Sequence, residues 1–249
     1  MRMRYCTDAI IAVSQFTEKD LLKAGLPRSL IHTIPNGIDT HFYQPISNEQ
    51  KNQLRQKHAL SMDDFILVSS AGTADYKNWP SLIAAIAALP TELKSMIKVI
   101  IAGKIPSLEE QMEIIHTLGL KKQVIFPGLL PDIRDWIALG DVGFVLSNAV
   151  ETISFACREM MAMGLPVIVS NYGGLPENIT PEVDGWIVPV NDIPALTECL
   201  RVILKQNDFA QMGQRAREKA VRSFDKSIFI QETLKLYQSL IKLPLPLHH

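Results

Sequence analysis

Cysteine is scarce in this chain of 249 residues, with three in all: Cys6, Cys157 and Cys199. They are scattered, odd in number and form no C-x-x-C pair. This excludes a disulfide framework and fits a reducing compartment. The six histidines (His32, His41, His58, His116, His248, His249) lack H-E-x-x-H or any similar spacing, so no metal site is expected. His248 and His249 sit at the end of the chain and carry no functional argument. No apolar run is long enough to cross a bilayer, and A-I-I-A-V near the start is too short for the core of a signal peptide. The simplest reading is a cytoplasmic protein, with peripheral contact at the inner face of a membrane left open. Neither charge dominates: 25 Lys plus Arg stand against 26 Asp plus Glu. That balance argues against a nucleic-acid partner. The absence of G-x-G-x-x-G and of G-x-x-x-x-G-K-[ST] removes support for dinucleotide redox and P-loop chemistry. No internal repeat is visible.

What the chain has is an alternation of short apolar runs with helix-length segments. Strands are predicted at Ala9–Val13, His32–Ile34, Phe65–Ser69, Lys98–Ala102, Gln123–Phe126, Val142–Leu146, Pro166–Ser170 and Trp186–Val188. Most are continuous Val/Ile runs, which suits strands buried on both faces of a parallel sheet. The expected fold is α/β, a Rossmann-like parallel sheet preceded by a short βαβ-like fragment. Thr17 is read as capping the first helix, with Gly25 and Pro27 ending it. Ser154 caps the helix that carries Glu159, and Gly164 and Pro166 stop it. Pro176 suits a first helical position, with Glu177 near the positive end of that helix. A polar connection with a short helix near Glu49–His58 leads into the main domain. A last helix is expected over Lys226–Ile241. Three spans follow: 1–39 as the remnant of another domain, 40–225 as the main domain, and 226–249 as a crossover helix and tail.

The chemistry-bearing residues cluster after the strands. Lys77, in A-G-T-A-D-Y-K-N-W, follows the glycine-bearing end of a strand, where open α/β sheets bind ligands. It is either a phosphate cation or a solvated lysine satisfied by Asp75. Gly173–Gly174 permit close backbone approach to an anion near a helix start, or simply make a tight turn. Glu151 and Glu159 lie eight residues apart, one before the helix and one inside it. Both are able to accept hydrogen bonds from hydroxyls in one cleft, or to stay at the surface paired with Arg158. Asn36–Gly37–Asp39 reads as an Asn-Gly turn.

The run E151-T-I-S-F-A-C-R-E159 and the M-A-M-G-L-P-V-I-V-S-N-Y-G-G-L-P-E177 that follows resemble the signature of retaining glycosyltransferases of family 4. The likeness extends to Q-V-I-F-P-G, D-V-G-F-V-L-S, D-G-W-I-V-P-V-N-D, A-I-I-A-V-S-Q-F-T and H-T-I-P-N-G-I-D. It implies the carboxyl-terminal half of a two-domain GT-B fold and a nucleoside diphosphate sugar, UDP- or GDP-linked, as donor substrate with no cofactor. It also implies Glu151 at the donor sugar, Glu159 at the ribose and Lys77 at the diphosphate, with Glu151 and Lys77 as the catalytic pair. Thr152, Ile153, Ser154, Gly72 and Thr73 would line the donor pocket, and Gly37 would approach it from the interdomain side. Thr73 stands where the family often has arginine, and Ser154 where it often has glycine. Hexosyl transfer to a hydroxyl acceptor is the implied reaction. The alternative is a nucleotide-sugar-binding or scaffold module without catalysis. A related sugar-phosphate epimerase is disfavoured by the glutamate pair. The resemblance also leads us to expect a chain incomplete alone, with residues 1–39 and the last helix forming an apolar face for a separate amino-terminal acceptor domain or for self-association.

Overall fold

The computed structural model describes residues 7–106, 111–205 and 209–241. Cys6, His248, His249 and the outer ends of the first and last expected spans lie outside the described residues. All eight expected strands form: β1 (Ile10–Ala12), β2 (Ile31–Thr33), β3 (Phe65–Ser69), β4 (Ile97–Ile101), β5 (Val124–Ile125), β6 (Val142–Val145), β7 (Val167–Ser170) and β8 (Gly185–Val188). The helices are α1 (Gln15–Lys23), α2 (Asn48–Lys57), α3 (Trp79–Ala87), α4 (Thr91–Met96), α5 (Gln111–Thr117), α6 (Arg134–Leu139), α7 (Phe155–Ala162), α8 (Ile193–Ile203), α9 (Phe209–Phe224) and α10 (Lys226–Ile241).

Strands β3 to β8 make one parallel sheet in the order β5-β4-β3-β6-β7-β8. The order reverses between β3 and β6, and that reversal is where such sheets open a ligand crevice beyond the carboxyl ends of the strands. Both faces are covered, which explains the continuous apolar runs. Ile66 and Val68 of β3 face the layer that holds Ile137, Met160 and Ala216, from α6, α7 and α9. Leu67, between them, faces Leu82, Ile86 and Leu200 from α3 and α8. A separate parallel pair, β1 with β2, carries α1.

Helix starts differ in two places from the sequence reading. The cap of α1 is Ser14, whose hydroxyl accepts from the Thr17 amide; Thr17 itself sits in the first turn. The segment Leu175–Asn178 is a single 3-10 turn with Pro176 near its start, and Glu177 turns away to another helix. Ser154 does cap α7, accepting from the Cys157 amide. Helix α10 spans the expected residues, yet none of them is buried. Ile230, Leu234, Tyr237 and Ile241 form an exposed stripe at helical spacing along it.

Two passages, one from β2 to α2 and the other from α9 to α10, run side by side. The Ile38 amide donates to the Phe224 carbonyl and the Lys226 amide to the Ile38 carbonyl, each at 2.8 Å. The Arg217 guanidinium donates to the carbonyls of Thr40, Tyr43 and Ala162.

The polar connection of the sequence is pinned by one acidic residue. The Asp141 carboxylate accepts from Arg55, from Lys51 at 2.8 Å and from the Ile66 amide at 2.8 Å. Arg55 is buried, so its charge depends on Asp141. Desolvation holds the Lys51 ammonium below its usual range, with Asp141 pulling it back up. Asp141→Ala leaves both cations uncompensated and should destabilise the fold by about 3 kcal/mol, read as a lower midpoint in urea unfolding. An unchanged midpoint would show that Asp141 does not anchor α2.

Candidate functional site

At the carboxyl end of β3 the chain passes Gly72 and enters a 3-10 turn, Asp75–Lys77. At the carboxyl end of β6 it runs through Ser147 to Glu151. These two loops flank the order reversal. They are joined across it by an ion pair between Lys77 Nζ and Glu151 Oε2 at 2.9 Å. The Ser147 hydroxyl donates to the same Glu151 oxygen at 2.8 Å. Both side chains are largely shielded, with 16% of the lysine and 6% of the glutamate exposed. Burying a carboxylate is costly unless it is paired and hydrogen-bonded, and here Lys77 and Ser147 supply both. Thus the bland reading of Lys77 as a solvated lysine is overturned: its partner is Glu151, in a different loop.

Backbone strain marks the same two loops. Asn78 follows Lys77 with φ 53°, and Val150 precedes Glu151 with φ 50°. Asn tolerates this left-handed region, but a β-branched residue there is a real outlier. Val150 is also largely exposed, so burial gives nothing back. Such strain, on the order of 1–3 kcal/mol, persists where the surroundings impose it.

Of the remaining expected residues, Thr152 is exposed, while Ile153 and Ser154 are buried. Open space lies over the Cα of Gly72, which has φ +90°. The Thr73 hydroxyl turns to the Lys104 carbonyl. Gly173 and Gly174 lie directly on the Glu151–Thr152 backbone. A Cβ on Gly173 would fall 1.8 Å from the Glu151 carbonyl oxygen, and one on Gly174 would fall 1.9 Å from that of Thr152. These glycines therefore shape the Glu151 loop from behind. Gly37 is not brought to this group. A side chain there would strike the backbone of Asp225 and Lys226, so its smallness serves the paired passages.

Glu159 does not share partners with Glu151. It lies on α7, half-buried, within hydrogen-bond reach of the Tyr43 hydroxyl. Burial pushes its carboxyl above the ordinary value, and the bond from Tyr43 draws it part of the way back. Burial, with Glu159 nearby, pushes the Tyr43 phenol up to about 12. Arg158 bonds neither glutamate. It is 2% exposed and donates from Nε to Asn178 Oδ1 at 2.7 Å and from its terminal nitrogen to the Asn36 carbonyl. Its guanidinium stacks 4.1 Å from the Phe224 ring centre. Ser147, Tyr43 and the true partners of Arg158 were missed by sequence reasoning. All of these contacts join residues distant along the chain, apart from Ser147, which sits four before Glu151. Among the described residues no group of three or more His, Cys, Asp or Glu side chains is placed to hold a metal ion. No described helix is long and apolar enough to cross a membrane.

Because the folded chain binds the Glu159 proton more tightly than the unfolded chain does, stability should fall as pH rises past the ordinary value of 4.5. Glu159→Gln should therefore raise the melting temperature at neutral pH, with the gain vanishing below that value. Tyr43→Phe removes the bond that lowers the carboxyl, so its titration, followed by carbon NMR, should move further up. A downward move would dismiss the Tyr43 contact.

Comparison with known proteins places this geometry in a family. The model for glycosyl transferases group 1 matches residues 50–220, and that for glycosyltransferase family 4 matches residues 2–42. The chain is 24% identical over 237 residues to N-acetyl-alpha-D-glucosaminyl L-malate synthase of Bacillus anthracis, covering 95% of this chain and 61% of that protein. It is 26% identical over 217 residues to D-inositol 3-phosphate glycosyltransferase of Xylanimonas cellulosilytica, covering 85% of this chain and 51% of that one. The chain thus spans between half and three fifths of these relatives. Among solved structures, HepE from Anabaena in complex with UDP superposes with a TM-score of 0.87 at 23% identity, covering 95% of this chain and 65% of its own. A glycosyltransferase from Rickettsia africae superposes at 0.84 and 22%, covering 98% and 67%. The expected Rossmann-like half of a GT-B fold is therefore present, and with more than half of its length matched, the chain belongs to the glycosyl transferases group 1 family.

Proposed function

We propose that this chain supplies the donor side of a retaining glycosyl transfer from a nucleoside diphosphate hexose, UDP- or GDP-linked, to a hydroxyl acceptor. The observation that carries the proposal is the Lys77–Glu151 pair, set across the order reversal of the sheet in the loops that follow β3 and β6. In the reaction the bond from the anomeric carbon to the diphosphate oxygen breaks. A bond from that carbon to the acceptor oxygen forms, and the acceptor proton passes to the leaving phosphate. Negative charge therefore grows on the phosphate, and a fixed ammonium beside it lowers the barrier. Lys77 fills that role, exchanging part of its interaction with Glu151 for the phosphate. Glu151, freed to accept elsewhere, holds a hydroxyl of the donor sugar, while Gly72 leaves room for the diphosphate. Glu159, already oriented by Tyr43, takes the ribose hydroxyls. HepE, with the same fold, is solved with UDP and with UDP-glucose, in keeping with this class of donor.

Acceptor recognition falls, in this reading, to polypeptide packed on the β1–β2 unit and α10, either a separate domain or a second copy. The exposed α10 stripe and the groove between β2 and α10, lined by Ile31, Thr33 and Leu236, support it. One observation favours the alternative, a nucleotide-sugar-binding module without turnover. Thr73 is uncharged and its hydroxyl donates to the Lys104 carbonyl, so residue 73 itself brings no second cation to share the phosphate charge.

Calorimetric titration separates the assigned roles. Lys77→Ala should weaken UDP or GDP binding by roughly 10-fold or more, the scale of a lost charge-assisted hydrogen bond, and leave the bare nucleoside nearly unchanged. Glu159→Gln should weaken nucleoside and diphosphate alike. Equal losses in Lys77→Ala would remove the phosphate role. Absence of any binding to the wild-type chain would remove the donor reading.

A further inference from the structure

Glu177 lies in the 3-10 turn that follows Gly173–Gly174, yet its carboxylate serves α1. Oε2 accepts from the Gln15 amide at 2.9 Å and Oε1 from the Phe16 amide at 2.8 Å. A helix leaves its first amides without partners inside the helix. Here the Ser14 hydroxyl serves the third, that of Thr17, and Glu177 serves the first two. The acid thus closes the hydrogen-bond account of a helix start more than 150 residues away in sequence, and its charge is favourable at that positive end.

This contact continues into the candidate site. Ser14 is fully buried. Its Cβ lies only 3.2 Å from where a side chain on Gly174 would begin, and that same position is 1.9 Å from the Thr152 carbonyl oxygen. Gly173 rests in turn on Glu151, and the Gly174 amide donates to the Glu151 carbonyl at 3.4 Å. Phe16 meets Tyr172 with ring centres 6.5 Å apart. The next residue, Asn178, receives Arg158, which reaches the Asn36 carbonyl. One short turn therefore touches α1, the Glu151 loop and one of the two passages.

We propose that Glu177 is a positioning residue: it fixes the seat of α1 on the Gly173–Gly174 turn, so that the backbone holding Glu151 and the orientation of the β1–β2 unit change together. The coupling to donor rests on the donor reading above, whereas the seating does not. Ordering of the Glu151 loop by a diphosphate tightens α1, and by linkage a firmly seated α1 tightens diphosphate binding by the same factor. Removing the carboxylate separates the two.

The test is hydrogen exchange on the full 249-residue chain, with Glu177→Ala and the milder Glu177→Gln, each alone and with UDP or GDP. Without nucleotide, exchange at residues 15–17 should rise about fivefold or more in both variants, the usual worth of a lost cap, while α8 stays unchanged as an internal control. With nucleotide, the wild-type chain should gain protection at residues 151–154 and at 15–17, and the variants only at 151–154. Glu177→Asp, which keeps the charge, should restore part of the transmitted protection. Unchanged exchange at 15–17 in the free variants overturns the seating. Protection of 15–17 that persists in the variants overturns the coupling. A uniform rise that includes α8 identifies a merely structural role and also overturns it. Failure of both nucleotides to protect any segment of the wild-type chain removes the coupling along with the donor reading and leaves the seating to be judged on the free chains.

Discussion

A guanidinium taken out of water is the constraint around which the two parts of this molecule are arranged. Arg158 has 2% of its surface exposed, and burial lowers its pKa to about 10, so it stays charged at neutral pH at a real cost in solvation. The cost is offset only if its donors are met with good geometry. They are met from three directions: Asn178 beside the candidate site, the Asn36 carbonyl on the first passage, and the face of Phe224 on the second. Each partner lies in a different stretch of chain. None can move far without leaving a buried charge short of a contact, so the passages and the turn behind the Glu151 loop are fixed relative to one another.

The same economy operates in the crevice. Glu151 lies beneath the surface, and Lys77 and Ser147 both bond its carboxylate. Val150, immediately before Glu151, sits in the left-handed region. Energy stored in this way is reasonable where a side chain must be aimed at something other than its own neighbours. In the proposed reading, a phosphate that draws on Lys77 competes with Glu151 for the ammonium.

The sheet was legible because its signal is local. Continuous Val and Ile runs such as Phe65–Ser69 and Val142–Val145 carry their own evidence, and Ser154 stands immediately before an apolar helix. The cap of α1 was misread because Ser14 and Thr17 offer the same chemistry three residues apart; the backbone turns helical at the earlier one. Glu177 was assigned to its own turn because proximity along the chain favoured it. The amides that claim it are distant in sequence and appear only once β1 and α1 are docked. Arg158 was paired with neighbouring glutamates for the same reason. At Gly37 the close approach visible in the fold is the backbone of residues 225–226, which no local pattern announces. Periodicity and caps thus convey elements and their order. Partners chosen by tertiary packing, including Tyr43 for Glu159, leave no mark at short range.

The side-by-side passages have a mechanical consequence. A single connecting strand lets two bodies swivel, tilt and twist about it. Two passages cross-linked by the Ile38 hydrogen bonds, with Arg217 holding the first beyond the crossing, do not move independently. The two connections are thereby coupled, so a load on α10 reaches the stretch between β2 and α2 without passing through the sheet.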